Sequence, residues 1–296
     1  MADPQDEGLR PDVSGATRRT AAEIFAVAVR TGEDELKRST SGLALSGLAA
    51  GLGMGLTGLG SAAVLASVSG PHASLFASLL YPLGFVVVIV GRAQLFTENT
   101  LFPVLLVLDR RRHVRNTLRL WAVVFVANVL GTLLFAVLTI KTSALSGAVR
   151  SALSELGRQT TAGGFGHVFW AGVLGGWIIA LMAWLVSAAR DTLGQTVLVY
   201  LMAFVVGAAH LAHCIAGSGE ALAAVLAGQV SAGGYLVWLA GAVLGNTVGG
   251  VLIVSLLNYG QVVGSGADTV RANRSLAEIE EEAGPALLSR SRREHP

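Results

Sequence analysis

Charge is what this chain lacks most. Asp, Glu, Lys and Arg supply 14% of its 296 residues, where soluble domains carry about 25%. That excludes an ordinary soluble globule, and the 53% hydrophobic content points to a membrane protein. A formal net charge of +2 is too small to mark a nucleic-acid binder. Cysteine is almost missing. Cys214 stands alone, so neither an intrachain disulfide nor a cysteine-based metal site can form. No cofactor and no metal are expected. The first 38 residues are charged and contain no apolar core, which predicts that there is no cleavable signal peptide.

Leu, Ala, Val and Gly fill the rest. The 37 glycines suit helices that pack backbone to backbone in lipid. A span needs roughly 20 apolar residues, and the chain offers six candidates: Gly42–Val68, Ser74–Leu108, Leu118–Ile140, Phe165–Ala189, Gln195–Leu226 and Gly234–Asn258. Orientation follows from the loop arginines and lysines. They crowd the N-terminal tail, the segment Arg110–Arg115, Arg190 and the C-terminal tail. The loops after the first and fifth spans have none. Both termini are therefore expected in the cytoplasm of a cell (inner) membrane protein. Residues 1–38 read as an N-terminal tail whose stretch Thr20–Arg38 forms an amphipathic interfacial helix. Residues 39–262 read as the channel domain and 263–296 as a polar tail, with a short helix possible at 275–284.

Two spans are interrupted, and they look like one object built twice. Tyr81, Phe85, Val86 and Val87 recur as Tyr200, Phe204, Val205 and Val206. Ala127–Gly131 recurs as Gly245–Gly249. Three spans per copy force the second copy upside down, an inverted-topology repeat. Paired broken spans at matching places point to a transport site near the midplane. A helix broken in lipid is tolerated only where it is buried in protein or lines a cavity. The expected fold is an all-α membrane protein of six transmembrane helices in two inverted three-helix repeats, aquaporin-like, with helices 2 and 5 broken.

The breaks carry the candidate chemistry. One of Thr97, Glu98, Asn99 and Thr100 is expected to cap the restarted half-helix of span 2. Ser218 or Gly219 is expected to cap that of span 5, with Glu220 in its first turn. Two facing half-helix N-termini would make a focus for anions. His213 is an ionisable side chain inside a span, functional by default. Its imidazole, with an ordinary pKa of about 6.5, could hand a proton to a passing carboxylate. His210 lies one turn earlier and could serve the pore or simply bond a neighbouring helix. Thr97 could bond His213 across the pore or cap a helix. Leu95 and Phe96 could form a steric gate. Asn128 and Asn246 match between the repeats and suit bonding of the broken backbones more than contact with solute. Glu98 and Glu220 suit capping, or pairing with Arg92. An intramembrane serine protease would need a histidine on another span to activate Ser218. None is well placed, so no enzyme is expected.

At these residues the chain resembles the formate/nitrite transporter family. The resemblance spans about residues 20–262 and rests on Leu95-Phe96-Thr97 with Asn99-Thr100, Asn128 with Gly131, His213, and Gly245-Asn246 with Gly249-Gly250. Gly172–Gly176 and Ala183-Trp184 are similar too. Leu95–Thr100 and Leu256–Val262 look like a divergent branch. The resemblance implies a homopentamer with one pore per protomer, passing small monovalent anions or their weak acids such as formate or nitrite. It implies a cytoplasmic constriction at Leu95, Phe96 and Thr97, and a central pore histidine at His213. It also carries the asparagine of span 6 onto Asn246. Three positions depart from the family pattern. Ala212 stands where a glutamate is usual, Gly217 where an asparagine is common, and Thr160 or Thr161 where a vestibule lysine is usual, with Arg158 as a substitute cation. The competing expectation is an aquaporin-like channel for small neutral solutes, although neither break carries Asn-Pro-Ala.

Overall fold

The computed structural model describes residues 18–110 and 113–264. The expected helix at 275–284, most of both tails, and Arg111 and Arg112 lie outside the described residues. Every described element is helical. In chain order these are α1 (Ala21–Lys37), α2 (Thr40–Leu65), α3 (Ala73–Ser78), α4 (Pro82–Val90), a 3-10 turn (Glu98–Thr100) and α5 (Phe102–Arg110). They continue with α6 (Val114–Lys141), α7 (Gly147–Thr160), α8 (Phe165–Ala188), α9 (Thr192–Ala208), α10 (Ala216–Leu226), α11 (Ala232–Val248), a π-helical stretch (Gly249–Ser255) and α12 (Leu256–Gly264).

Five helical runs are long and apolar enough to cross a bilayer: Thr40–Leu65, Ala73–Val90, Val114–Lys141, Phe165–Ala188 and Ala232–Gly264. The sixth crossing is shared by α9 and α10, apolar helices of 17 and 11 residues. Starts are set by short polar caps. Thr20 and Glu23 close a capping box on α1. Ser39, Ser146, Asp191 and Ser231 each accept a backbone N–H at the start of α2, α7, α9 and α11, which pairs a donor the first turn leaves orphaned.

The two inverted halves superimpose in their contacts as well as their sequence. α2 packs on α6, and α8 packs on α11. A Cβ on Gly51 would overlap the carbonyl of Asn128, and one on Gly176 would overlap the carbonyl of Asn246. Gly131 and Gly249 press in the same way on α2 and α8. Small residues let these pairs approach backbone to backbone where lipid offers no hydrophobic drive.

The repeat is larger than three spans. α7, in what reads as a plain loop after the third span, is the second-half counterpart of α1. Gly32 of α1 sits against the carbonyl of Phe102, the first residue of α5, and Gly157 of α7 sits against the carbonyl of Glu220 in α10. The helix at Thr20–Arg38 packs on the first half, with Phe25, Ala28 and Val29 buried.

Both breaks end their first half-helix in one way. Arg92 and His210 take left-handed backbone angles, φ +57° and +52°. Ala93 N–H then reaches back to the Val88 carbonyl and Leu211 N–H to that of Val206, each 3.0 Å. This is the crossing pattern that glycine usually closes. Restart points differ from the sequence reading. In span 2 a 3-10 turn precedes the half-helix, which begins only at Phe102. In span 5 the half-helix begins at Ala216, before Ser218 and Gly219, so Glu220 lies beyond its first turn.

Candidate functional site

Each break is tied down by one buried asparagine. Asn128 Oδ1 accepts the Phe96 N–H (2.9 Å), while its Nδ2 donates to the carbonyls of Gly47 (2.8 Å) and Gln94 (2.9 Å). Asn246 Oδ1 accepts the Cys214 N–H (2.9 Å), while its Nδ2 donates to Gly172 (2.8 Å) and Ala212 (2.9 Å). Both side chains are fully buried. They pair the backbone groups that a helix interruption leaves open.

His213 stands immediately before one of those bonded amides, and both its ring nitrogens are engaged. Nδ1 accepts the N–H of Ala216, the first residue of α10, at 3.0 Å; the N-cap residue itself is Ile215, not Ser218 or Gly219, and bonds nothing through its side chain. Nε2 lies 2.8 Å from Thr97 Oγ1. With Nδ1 accepting, the neutral ring carries its proton on Nε2 and donates to the threonine oxygen. The Phe85 ring meets the imidazole edge-on at 5.0 Å. Thr97 and His213 come from different broken spans, so this bond joins the two repeats at their breaks.

Two cavities open on either side. A chamber of about 560 Å³ on the α7 side is walled by Tyr81, Thr160, His167, His210, Glu220 and Trp238, and reaches His213. One of about 270 Å³ on the α1 side is walled by Arg19, Glu35, Arg92, Gln94, Glu98 and Arg190. Leu95, Phe96 and Thr97 line neither. Leu95 is fully buried. Phe96 packs edge-on against Phe125 (5.2 Å) and Trp121 (5.9 Å). His210 lies on the larger chamber with its Nε2 3.2 Å from Ser74 Oγ.

Other expected residues fall elsewhere. Arg158 forks onto Glu155 at 2.7 and 2.6 Å. Hydrogen bonds from Arg158 and then Gln159 hold the Glu155 carboxyl at about 2. Arg158 is not among the residues that line the chamber, although Gln159 and Thr160 next to it are. Thr160 instead donates to Glu220 Oε2 at 2.8 Å. Glu98 and Arg92 share the smaller chamber, where burial and then the charge of Arg190 lower the pKa of Arg19. Ser218 Oγ donates to the Cys214 carbonyl (2.6 Å) and lies 3.1 Å from Tyr235 Oη, which is helix packing rather than an activated nucleophile. The sequence reading missed α7 as a chamber wall. Its sequence signal was Ser146 as a cap; Gly157 matches Gly32 only in its contact, not in the register of the repeat.

Residues 22–260 match the family model described as Formate/nitrite transporter. The Inner membrane protein YfdC of Escherichia coli K12 is 32% identical over 235 residues, which cover 78% of this chain and 75% of that protein. The Uncharacterized transporter YrhG of Bacillus subtilis 168 is 25% identical over 253 residues, covering 81% and 92%. Among solved structures, an FNT family ion channel aligns with a TM-score of 0.67 at 18% identity, over 80% of this chain and 94% of that one. A pentameric formate channel with formate bound aligns with a TM-score of 0.63 at 18% identity, over 75% and 97%. The all-α, multi-pass fold is shared with these channels.

Proposed function

This chain belongs to the formate/nitrite transporter family, and from that premise we propose that it passes small monovalent anions or their weak acids, formate or nitrite among them, with His213 assisting proton-coupled passage. The observation that carries this reading is the bond between His213 Nε2 and Thr97 Oγ1, formed where the two broken spans meet and where the larger chamber ends. An anion crossing that dry constriction would lose its hydration at a cost of several kcal/mol. Taking a proton at the imidazole lets it cross as the neutral acid. Leu95 and Phe96, buried beside Thr97 and lining neither chamber, are the apolar packing of that constriction in this reading, and the two asparagines keep the broken backbones in place around it.

The described cations support an orientation. Arg19, Arg92, Arg110 and Arg190 lie on the α1 side, which we assign to the cytoplasm with both termini; the α7 chamber then opens outward. Residues 39–262 with α1 form the transport unit. Like the pentameric channel it aligns with, the protein assembles as a homopentamer with a pore in each protomer. Purified protein in liposomes tests the reading. Formate should flow with a rate set by the pH gradient, and His213→Phe should remove that dependence in a particle of unchanged size. Water flux without any acid or anion flux would favour a neutral-solute channel instead.

A further inference from the structure

Arg92 and His210 occupy one position of the repeat. Each ends a first half-helix in the left-handed region, at φ +57° and +52°. Each is followed by an N–H that reaches back across the turn, Ala93 to Val88 and Leu211 to Val206. Glycine takes this conformation without strain, and a longer side chain is held there where a site makes use of it. Both side chains are exposed on a chamber wall, Arg92 on the α1 side and His210 on the α7 side. The first repeat thus sets a permanent cation at its break. The second sets an imidazole there, in a chamber that no lysine or arginine lines among the described residues.

His210 Nε2 lies 3.2 Å from Ser74 Oγ, and Ser74 lines the same chamber. No other side-chain hydrogen bond occupies either residue among the described residues. A protonated imidazole donates from both ring nitrogens. With Nε2–H on Ser74 Oγ, the serine hydroxyl hydrogen and Nδ1–H are both left for a ligand, and the ring charge strengthens them as donors. The neutral pair has one donor fewer and no charge.

We propose that His210, with Ser74, is the anion-binding site of the α7-side mouth, and that it takes a small monovalent carboxylate or oxyanion while the imidazole carries its second proton. The proposal rests on the transport reading above and adds to it a capture step that acid at the α7 face strengthens. Histidine is the side-chain type whose charge ordinarily changes between about pH 5 and 8. The position that collects anions at every pH in the first repeat therefore does so conditionally in the second. The other titratable groups of this chamber are Tyr81 beside α4, His167 on α8, Glu220 on α10 and His213 in the same break. Glu220 accepts the Thr160 hydroxyl and His213 is engaged at both nitrogens. Tyr200 of α9 donates to the Leu79 carbonyl, and His72, at the start of α3, does not line the chamber. His167 is the further imidazole that an experiment has to separate from His210.

Formate flux through the full-length protein in liposomes, with equal pH and salt on both faces, tests the site through its half-saturation concentration at about pH 5.5 and about pH 7.5, on either side of the ordinary imidazole transition. His210→Arg installs the side chain that the equivalent backbone already carries at Arg92. His210→Gln keeps a polar side chain without a charge. At the higher pH, His210→Arg should lower the half-saturation concentration about threefold, the scale of one exposed charge pair, and His210→Gln should match wild type. At the lower pH, His210→Gln should raise it by a similar factor and His210→Arg should match wild type. Added salt should shrink both differences, because the site is exposed. Variants are compared at one pH, so the titration of formate itself cancels. His210→Arg equal to wild type at the higher pH, or His210→Gln equal to wild type at the lower, overturns the site while leaving the transport reading standing. A loss in His167→Gln without one in His210→Gln overturns it too and moves capture to α8. Absence of formate flux from the wild type overturns both readings.

Discussion

His213 holds, in the second repeat, the place that Leu95 holds in the first. Each precedes the residue whose N–H is bonded by the clamping asparagine, Phe96 to Asn128 and Cys214 to Asn246. Each lies three residues past the left-handed turn made by Arg92 or His210. The inverted fold therefore presents two equivalent positions near its axis and fills one with an apolar side chain and one with an imidazole. The scaffold does not require the imidazole, since its own first half manages without one.

That asymmetry makes His213→Leu a sharper test than removal alone. The substituted side chain is one the equivalent backbone already accommodates, so fold and oligomer size should survive. The acceptor of the Ala216 N–H is lost with it, at a cost of about 1 kcal/mol. Flux of a weak acid should lose its dependence on the pH gradient. An unchanged pH profile in liposomes would assign the imidazole to holding the Ala216 N–H alone.

The asparagine clamps give a stability prediction. Asn128→Ala or Asn246→Ala strands one backbone N–H and two carbonyls away from water. Each unpaired buried group costs ~1–3 kcal/mol. Either change should lower the thermal midpoint of the detergent-solubilised protein and break up its oligomer on size-exclusion chromatography. Because the two clamps are equivalent, the losses should be similar. Loss of flux with no loss of thermal stability would instead mean that these amides contact solute.

Much of this was legible in the sequence, and the limits have physical causes. The repeat showed because Ala127–Gly131 and Gly245–Gly249 must keep a clamp and a close-packed glycine in register. The six spans showed because lipid demands long apolar runs. The equivalence of α1 and α7 did not show. Those helices share only a glycine pressed on a neighbouring carbonyl, and the rest of each faces a different chamber. The half-helix starts were misplaced for a related reason. Cap rules favour serine or threonine, and nothing in the pattern announced a histidine ring as the acceptor. Nor did any glycine mark the left-handed positions that Arg92 and His210 occupy.

Gly157 tests how far α7 belongs to the pore. A Cβ there would overlap the Glu220 carbonyl and crowd Ala224. Gly157→Ala should push α7 off α10, at a cost of about 1–3 kcal/mol for overpacking, and move Thr160 away from Glu220. Gly147→Ala, where a Cβ meets nothing within 4 Å, serves as the control. Thermal melts and formate flux should change for Gly157→Ala and stay near wild type for Gly147→Ala. Equal behaviour of the two variants would mean that α7 is a peripheral hairpin with no hold on the chamber.

The position that the family resemblance assigns to a vestibule lysine is Thr160, and its neighbour here is a carboxylate. Thr160→Lys would place an ammonium beside Glu220, replacing a hydroxyl donor by a charge of opposite sign to that carboxylate. The ammonium would add a positive charge to the larger chamber and leave spare donors for a solute. Anion flux should rise severalfold at low anion concentration and less near saturation, because capture is improved more than the passage that follows it. Added salt should shrink the gain only in part, since screening over ~8 Å acts on exposed charges and far less on one set against a buried partner. Thr161→Lys is the comparison. Thr161 ends α7 with its hydroxyl on the Gly157 and Arg158 carbonyls and does not line the chamber, so a lysine there should be screened fully and help less. Equal flux from wild type and Thr160→Lys at every concentration and salt level would show that capture at this mouth is not limiting, and would shift attention to Arg92 and Arg190 at the other.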